Sequence, residues 1–72
     1  MRCRILEIRQ TLGLTQDVFA QQLGVDQSML SRWERGERLP SLQNLLRVAG
    51  RLHLPITEIM IEDGAAESAA GG

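Results

Sequence analysis

The chain has no lysine and no tyrosine, and it contains only one cysteine and one histidine among its 72 residues. A single cysteine, Cys3, excludes an internal disulfide, and a single histidine, His53, provides no cluster of metal ligands. These two residues and scattered carboxylates do not assemble a base, a nucleophile and an orienting group. We therefore expect no enzymatic activity, no bound metal and no cofactor.

The length of the chain allows one small domain and no separate sensor or catalytic domain. No apolar run is long enough for a signal peptide or a membrane span, which predicts a cytoplasmic protein. The last nine residues, GAAESAAGG, are small and have no hydrophobic pattern. We predict a folded domain over residues 1–63 and a disordered tail over 64–72.

Charge is unevenly distributed along the chain, although the net charge is only −1. Residues 1–57 hold all eight arginines and five acidic residues, whereas residues 58–72 hold four acidic residues and no basic one. The distribution of charge, rather than its sum, sets the field that a phosphate backbone experiences. Every basic group is a planar guanidinium, which is suited to bidentate contacts.

The segment from Gln16 to Arg35 predicts two short helices joined by a tight turn. Thr15 is placed to cap the first helix, and Asp26 is placed to cap the second. Gly24 follows the first helix, where a residue in the left-handed conformation ends a helix at little cost. Two helices separated by a short turn with a central glycine are typical of a helix-turn-helix.

The second of these helices has two chemically different sides. At roughly 100° per residue, Leu30 and Trp33 fall on one side, and Met29 and Glu34 lie at its two borders. The opposite side carries polar groups from Gln27, Ser28, Ser31, Arg32 and Arg35. Amide, hydroxyl and guanidinium groups can recognise base edges in the major groove of DNA. An ordinary solvated helix face is the alternative interpretation.

Three further helices complete a predicted all-α fold of five helices. The first runs from Arg2 or Cys3 to Leu12, the fourth from Leu42 to Leu52, and the fifth from about Ile56 to Glu62. The fourth is expected to place five side chains in the core: Leu42, Leu45, Leu46, Ala49 and Leu52. Arg47 and Arg51 lie on its outer side, where we expect them to be solubilising.

The fifth predicted helix carries more apolar residues than one side can bury. Ile56, Ile59 and Met60 can complete the core, but Ile61 then has no inward position. An apolar residue without an inward position on a terminal helix indicates a surface for a partner. We therefore predict a two-fold dimer whose interface is formed by Ile56, Ile59, Met60 and Ile61.

Four motifs in this order carry a family resemblance: IRQTLGLTQ (8–16), AQQLGV (20–25), SRWERG (31–36) and LPSLQNL (39–45). From about Ile5 to Met60 the chain resembles the Cro/C1-type (XRE-family) helix-turn-helix of phage repressors and their bacterial relatives. The resemblance implies a compact lambda-repressor-like domain with the helix-turn-helix at helices 2 and 3. It also implies a transcriptional regulator, most simply a repressor, that binds a pseudo-palindromic operator in double-stranded DNA as a homodimer.

The resemblance also assigns roles to individual residues. An arginine at position 9 pairs with the glutamate of the WERG motif in this family, which implies a structural Arg9–Glu34 salt bridge. Together with the polar side of the second helix, the resemblance predicts base contacts by Gln27, Ser28, Ser31 and Arg32, while Met29 at the border either touches a thymine methyl or packs inward. The phosphate-contacting residues would be Thr15, Gln16, Arg35, Arg38, Ser41 and Asn44. Glu37 departs from the family, which tends to have a basic residue there, and this weakens the expected grip on the backbone.

Two other classes of function stay open from the sequence. An antitoxin uses the same fold to bind DNA and also binds a toxin protein, and a restriction–modification controller protein has a similar length. Neighbouring genes would distinguish these from a simple repressor. The second class is a protein-interaction module that has kept the fold and lost DNA binding. The net acidity and Glu37 favour that interpretation, whereas the polar stripe with Arg32 disfavours it.

Overall fold

A computed structural model describes residues 2–61 of the chain. It contains five helices and two very short strands: β1 (Arg2–Cys3), α1 (Ile5–Leu12), α2 (Gln16–Leu23), α3 (Gln27–Glu34), α4 (Leu42–Leu52), α5 (Ile56–Ile59) and β2 (Met60–Ile61). The predicted five-helix fold is confirmed. The predicted tail over 64–72 lies outside the described residues.

The two ends of the described chain meet, which the sequence did not predict. Strand β1 pairs antiparallel with β2, with Arg2 opposite Ile61 and Cys3 opposite Met60. The backbone N–H of Arg4 donates to the carbonyl oxygen of Ile59 at 2.7 Å. The predicted start of the first helix at residue 2 or 3 is therefore wrong, as is the predicted extension of the fifth helix past Ile59. Pairing satisfies the backbone groups of both segments without helix formation.

The core is formed by all five helices. Its buried side chains are Ile5, Phe19, Ala20, Leu23, Leu30, Trp33, Leu45, Val48 and Ile59. On α4 the expected stripe is partly wrong, because Leu42 and Leu46 are exposed and Val48 is buried. Val48 and Leu46 lie on opposite sides of Leu45, about 60° and 100° away around the helix. The neighbouring helices cover the Val48 side, so Leu46 is left facing solvent.

Helix α4 ends at His53, which has the left-handed backbone angles φ 55° and ψ 40°. A residue in the left-handed conformation commonly ends a helix, and histidine adopts a positive φ more readily than most residues other than glycine. The turn directs the chain toward Pro55 and α5, whose Ile59 closes the core.

Candidate nucleic-acid interface

The turn between α2 and α3 is built mainly from backbone hydrogen bonds. At the start of α2 the Thr15 hydroxyl accepts a hydrogen bond from the Val18 N–H at 3.3 Å. At its end Gly24 has φ 73°, and the Val25 N–H donates to the Ala20 carbonyl at 3.1 Å. A side chain at position 24 would be strained at this φ. The glycine therefore lets the chain reverse quickly enough to bring α3 beside α2.

Asp26 occupies the position before α3 in an extended conformation, but its side chain accepts no hydrogen bond from that helix. The predicted side-chain cap is therefore absent. Its backbone carbonyl accepts from the Leu30 N–H at 3.0 Å. The first N–H groups of α3 thus have no side-chain cap, so they remain open to an acceptor from outside the chain.

Two arginines of α4 hold the other side of this turn. Arg47 donates to the carbonyl oxygen of Gly24 at 3.1 Å, and Arg51 donates to that of Gln22 at 3.2 Å. A cation at the carboxyl end of a helix satisfies free carbonyls and favours the negative end of the helix dipole. Arg47 and Arg51 were expected only to increase solubility. They also connect α4 to the end of α2 through these hydrogen bonds.

Helix α3 presents its two sides as the angular analysis of the sequence predicted. Leu30 is fully buried and Trp33 is 2% exposed. On the opposite side Gln27, Ser28 and Arg32 are exposed. Ser31 and Met29 are half-buried, and Met29 packs against the core cluster. The polar stripe is therefore accessible along the first two turns of α3.

A chain of polar side chains connects α1, α2 and α3. Arg9 donates two hydrogen bonds to Glu34, from Nε at 2.7 Å and from a terminal nitrogen at 3.0 Å. Gln16 donates to the same carboxylate at 3.0 Å and accepts from the Gln27 amide at 3.2 Å. The side chain of Glu34 is only 5% exposed. The hydrogen bonds from Arg9 to Glu34 raise the pKa of Arg9.

These hydrogen bonds also hold Gln27, which belongs to the exposed polar stripe of α3. Gln27 is held by Gln16, which is itself held by the buried carboxylate of Glu34. A primary amide has two N–H donors. Gln16 uses one of them on Glu34, so the other is available for a phosphate or water. The Arg9–Glu34 pair thus orients side chains beyond its own two residues.

The end of α3 carries a second ion pair, which changes the expectation for Arg35. Arg35 donates to Glu37 at 2.6 Å from Nε and at 3.3 Å from a terminal nitrogen, and it also bonds the Ser31 hydroxyl. The hydrogen bond from Arg35 lowers the pKa of Glu37. Arg35 is therefore paired within the chain, and a phosphate would compete with Glu37 for its guanidinium.

The loop from Gly36 to Ser41 leads from α3 to α4. Arg32 and Arg38 are exposed, and within residues 2–61 neither forms an ion pair. The Ser41 hydroxyl accepts from the Asn44 N–H at 3.2 Å and so caps α4. Asn44 is half-buried. Arg32 and Arg38 are therefore the two arginines of α3 and this loop that form no ion pair among residues 2–61, although Glu37 lies close enough to Arg32 for the charge of Arg32 to help lower the Glu37 pKa.

The residues expected to form a dimer interface are placed differently from that expectation. Ile59 is fully buried in the core, so it has no surface to offer a partner, and its assignment to the interface is wrong. Ile56, Met60 and Ile61 are half-buried. Ile61 has its position in β2 opposite Arg2, which removes the reason for treating it as a residue without an inward place.

Membrane-spanning helices, metal ligands and the cysteine thiol are the remaining features of the same residues. No helix between residues 2 and 61 has the length and apolar character needed to cross a membrane. Within that range, no three or more His, Cys, Asp or Glu side chains are grouped so as to hold a metal ion. Cys3 is half-buried, and burial raises the pKa of its thiol.

The comparisons with known proteins agree with the geometry. The model of the Helix-turn-helix family matches residues 5–59. An uncharacterized HTH-type transcriptional regulator of Methanothermobacter thermautotrophicus is 40% identical over 68 residues, covering 90% of this chain and 99% of that protein. The cryptic phage CTXphi transcriptional repressor RstR of Vibrio cholerae is 30% identical over 56 residues, covering 78% of this chain and 50% of that protein.

A transcriptional regulator from Listeria innocua has a similar solved structure. The TM-score is 0.64 at 21% sequence identity, over 97% of this chain and 75% of that one. At that identity the likeness concerns the fold alone. The family match and the sequence relatives carry the assignment further: the chain belongs to the Cro/C1-type (XRE) helix-turn-helix family of DNA-binding transcriptional regulators.

Proposed function

We propose that this protein is a repressor that binds a pseudo-palindromic operator as a dimer, with each α3 in a major groove. The observation that carries the proposal is the accessible polar side of α3, where Gln27, Ser28 and Arg32 are exposed above a buried Leu30 and Trp33. The major groove admits an α-helix, and amide and guanidinium groups can each bond two positions on one base.

Base recognition is assigned to the first two turns of α3. Gln27 and Arg32 are the main readers, since glutamine suits adenine and arginine suits guanine. Ser28 and Ser31 contribute hydroxyl groups. The half-burial of Met29 supports a packing role with at most an edge contact to a thymine methyl. The hydrogen bond from Gln27 to Gln16 supports a fixed orientation for the first reader.

Phosphate contacts are assigned to the residues around this stripe. Thr15 and Gln16 lie at the start of α2, and Ser41 and Asn44 lie at the start of α4, where free N–H groups attract anions. Arg38 supplies the main charge from the loop. Arg35 contributes only if the phosphate displaces Glu37 from its guanidinium. Such contacts set position and register without reading sequence.

The dimer and the repressor role rest on analogy and on the geometry of operators. Two copies related by a two-fold axis would bind half-sites about 34 Å apart, one turn of DNA. The relative RstR is named a repressor, although this chain spans only half of its length. Binding a promoter in this way would exclude polymerase. A protein with this role works in the cytoplasm of a prokaryotic cell.

The experiment that tests the proposal is selection of bound duplexes from a randomised pool with the wild-type protein. A two-fold symmetric site with half-sites about one turn apart is the expected result. Arg32→Ala should then cost about 1–3 kcal/mol at the selected site and relax the preference at one base pair of each half-site. Arg38→Ala should weaken all duplexes alike and lower the salt dependence by about one phosphate contact.

Arg4→Ala is the matched control, because it also removes one guanidinium. Arg4 pairs with Glu7 and Glu58 on α1 and α5, away from α3. It should leave both affinity and preference nearly unchanged. Recovery of no preferred sequence would contradict specific binding. Identical behaviour of Arg32→Ala and Arg38→Ala across the pool would contradict the division of roles.

A further inference from the structure

Two arginines of α4 bind carbonyl oxygens at the end of α2 that the backbone leaves open. Arg47 donates to the Gly24 carbonyl at 3.1 Å, and Arg51 donates to the Gln22 carbonyl at 3.2 Å. Within residues 2–61, neither carbonyl accepts a backbone hydrogen bond. The guanidinium of Arg51 also lies against Gly24, where a Cβ atom would be 3.2 Å from one terminal nitrogen. We refer to Arg47 and Arg51 as the arginine clamp.

The start of α3 is separated from α4 by open space. Helix α3 packs mainly on α2 and α1, whereas α4 packs mainly on α2 and α5. An open cleft of about 370 Å³ lies between the turn and α4, and it is lined by Gly24, Val25, Asp26, Met29, Asn44 and Arg47. Because Arg47 and Gly24 line opposite elements of this cleft, their hydrogen bond connects its two sides.

The first turn of α3 has few restraints of its own. Asp26 precedes the helix, but its side chain accepts no hydrogen bond from it. A side-chain cap stabilises the first turn of a helix, and segments with few buried contacts open locally more often than the core does. A hydrogen bond that holds the Gly24 carbonyl therefore limits the movement of Gln27 and Ser28, which follow closely on the turn.

The two helices that the clamp connects carry different parts of the proposed DNA contacts. Helix α3 carries Gln27 and Arg32, which we assign to bases, and the start of α4 carries Ser41 and Asn44, which we assign to phosphates. The distance from a base edge to the phosphates beside it is set by the duplex. A protein that uses both contacts at once therefore needs α3 and α4 in one relative position. Groups that are held in this position before binding lose less conformational freedom when DNA binds.

We propose that Arg47 and Arg51 are positioning residues for DNA recognition, which hold the start of α3 in a fixed position relative to α4. They act through the carbonyls of Gly24 and Gln22, and they touch neither a base nor a phosphate. The inference rests on the proposed DNA binding. Without the clamp the start of α3 adopts several positions relative to α4. Affinity for the operator then falls with the fraction of molecules that have the recognition geometry.

A direct phosphate contact is the competing role for the same two side chains. Both are exposed, and within residues 2–61 neither forms an ion pair. Loss of a phosphate contact weakens binding to all duplexes alike and lowers the salt dependence of binding. Loss of a positioning contact leaves the salt dependence unchanged and weakens binding to the operator more than binding to an unrelated duplex.

The test compares Arg47→Met and Arg51→Met with the control Arg4→Met. Each substitution removes one guanidinium and keeps an unbranched apolar stem, and Arg4 pairs with Glu7 and Glu58 instead of the α2 end. On a duplex selected by the wild type, each clamp variant should bind roughly 2- to 10-fold more weakly than the control, the range of one net hydrogen bond. On an unrelated duplex, and in salt dependence, the three variants should be equal.

Amide hydrogen exchange of the free protein gives a second measurement that needs no DNA. The Val25 N–H donates to the Ala20 carbonyl within the turn. It should exchange roughly 2- to 10-fold faster in Arg47→Met than in Arg4→Met, because the turn opens more often when the clamp is removed. Melting temperatures establish that each variant is folded, and binding is measured well below the lowest of them.

Three results would overturn the positioning role. The first is equal affinity for the selected duplex, or equal exchange at Val25, in Arg47→Met and Arg4→Met. The second is an equal loss on all duplexes with a lower salt dependence, which would assign the clamp to phosphates. The third is a lower melting temperature with an unchanged preference for the selected duplex, which would leave only a role in stability. A wild type that selects no sequence would contradict the proposed function, and exchange at Val25 would still decide whether the clamp holds the turn.

Discussion

The inner and outer sides of α3 are formed by the same eight residues but are held in place by different means. On the inner side Leu30 and Trp33 are buried, and Glu34 receives three hydrogen bonds from Arg9 and Gln16. On the outer side Arg32 is exposed and, within residues 2–61, has no ion pair. Packing and a buried charge thus determine where the helix lies, while its outer groups remain available to a ligand.

This difference separates stability from recognition. Removing an inner group leaves a cavity or a stranded charge, and both costs appear as lower folding free energy. Removing an exposed group changes stability little, so its cost appears only when DNA is bound. Gln27 is the exception, because its exposed side chain is tied through Gln16 to the buried Glu34. Substitutions of Gln16 and Glu34 therefore test whether stability and DNA recognition depend on different residues.

The largest effect is expected for Glu34→Ala. The substitution strands the guanidinium of Arg9, which is only 20% exposed, and should cost about 2–4 kcal/mol of unfolding free energy. Denaturant unfolding of the purified domain measures this. Glu37→Ala is the matched control, because that carboxylate also pairs with an arginine but is exposed, and a small change is expected. Equal stability of Glu34→Ala and the wild type would refute a structural role for the inner pair.

A smaller effect on two properties at once is expected for Gln16→Ala. Glu34 loses one of its three hydrogen bonds but keeps both from Arg9, so we expect a cost of about 1.5 kcal/mol. The Gln27 amide also loses its partner and the proposed phosphate contact of Gln16 is lost, so DNA affinity should fall for all duplexes and fall most at the base pair assigned to Gln27. Thermal melting and duplex binding measure the two changes.

Gln21→Ala provides the comparison for this substitution, because Gln21 is an exposed glutamine on the same helix. It should change neither property appreciably. If Gln16→Ala lowered affinity with no loss of stability, Gln16 would belong with the outer groups alone. In that case the contact to Glu34 would be incidental.

The smallest effect is expected from acid at the outer ion pair. Because the Glu37 pKa is lowered by Arg35 in the folded state, the carboxylate binds its proton more readily in the unfolded chain. The ion pair contributes to the unfolding free energy above the ordinary glutamate pKa of about 4.3. This contribution is lost as the pH falls through the lower pKa of the folded state. The unfolding free energy, measured at several pH values from about 6 to about 3, should therefore decrease slightly less in Glu37→Gln than in the wild type.

Glu7 gives an independent check on that sign. Its pKa is lowered by hydrogen bonds from Arg2 and Arg4 rather than from Arg35. Glu7→Gln should reduce the acid dependence in the same direction, and the two substitutions should be additive because they share no partner. Identical acid dependence of Glu37→Gln and the wild type would mean that Arg35 is not held by Glu37 in solution. Arg35 would then return to the set of free phosphate contacts.

Much of the fold and of the candidate site followed from local pattern. Helix α2 begins after Thr15 and ends before Gly24, as expected. Leu30 and Trp33 face inward, as their angular positions required. Such features depend on helix period and on the conformational freedom of single residues, which are properties of short segments. The accessibility of Gln27 and Arg32 follows from the same period.

The pattern was less informative about α4 and the chain ends. Leu42 and Leu46 have the spacing of buried residues. Burial depends on which side of α4 the neighbouring helices cover, and they cover the side that carries Val48. Arg47 and Arg51 could be placed on the outer side of α4 from sequence. Their bonds to carbonyls of the α2 end could not, since those partners lie 23 and 29 residues earlier.

The sequence by itself determined that α2 and α3 form a helix-turn-helix with one apolar and one polar side, because helix period and turn glycines act over a few residues. Only the tertiary structure decided that Gln27 is held through Gln16 to Glu34, that Glu37 neutralises Arg35, and that the two chain ends pair as strands. Each of these depends on the distance between side chains or segments after packing. Packing brings together residues whose spacing in the chain carries no signal of their contact.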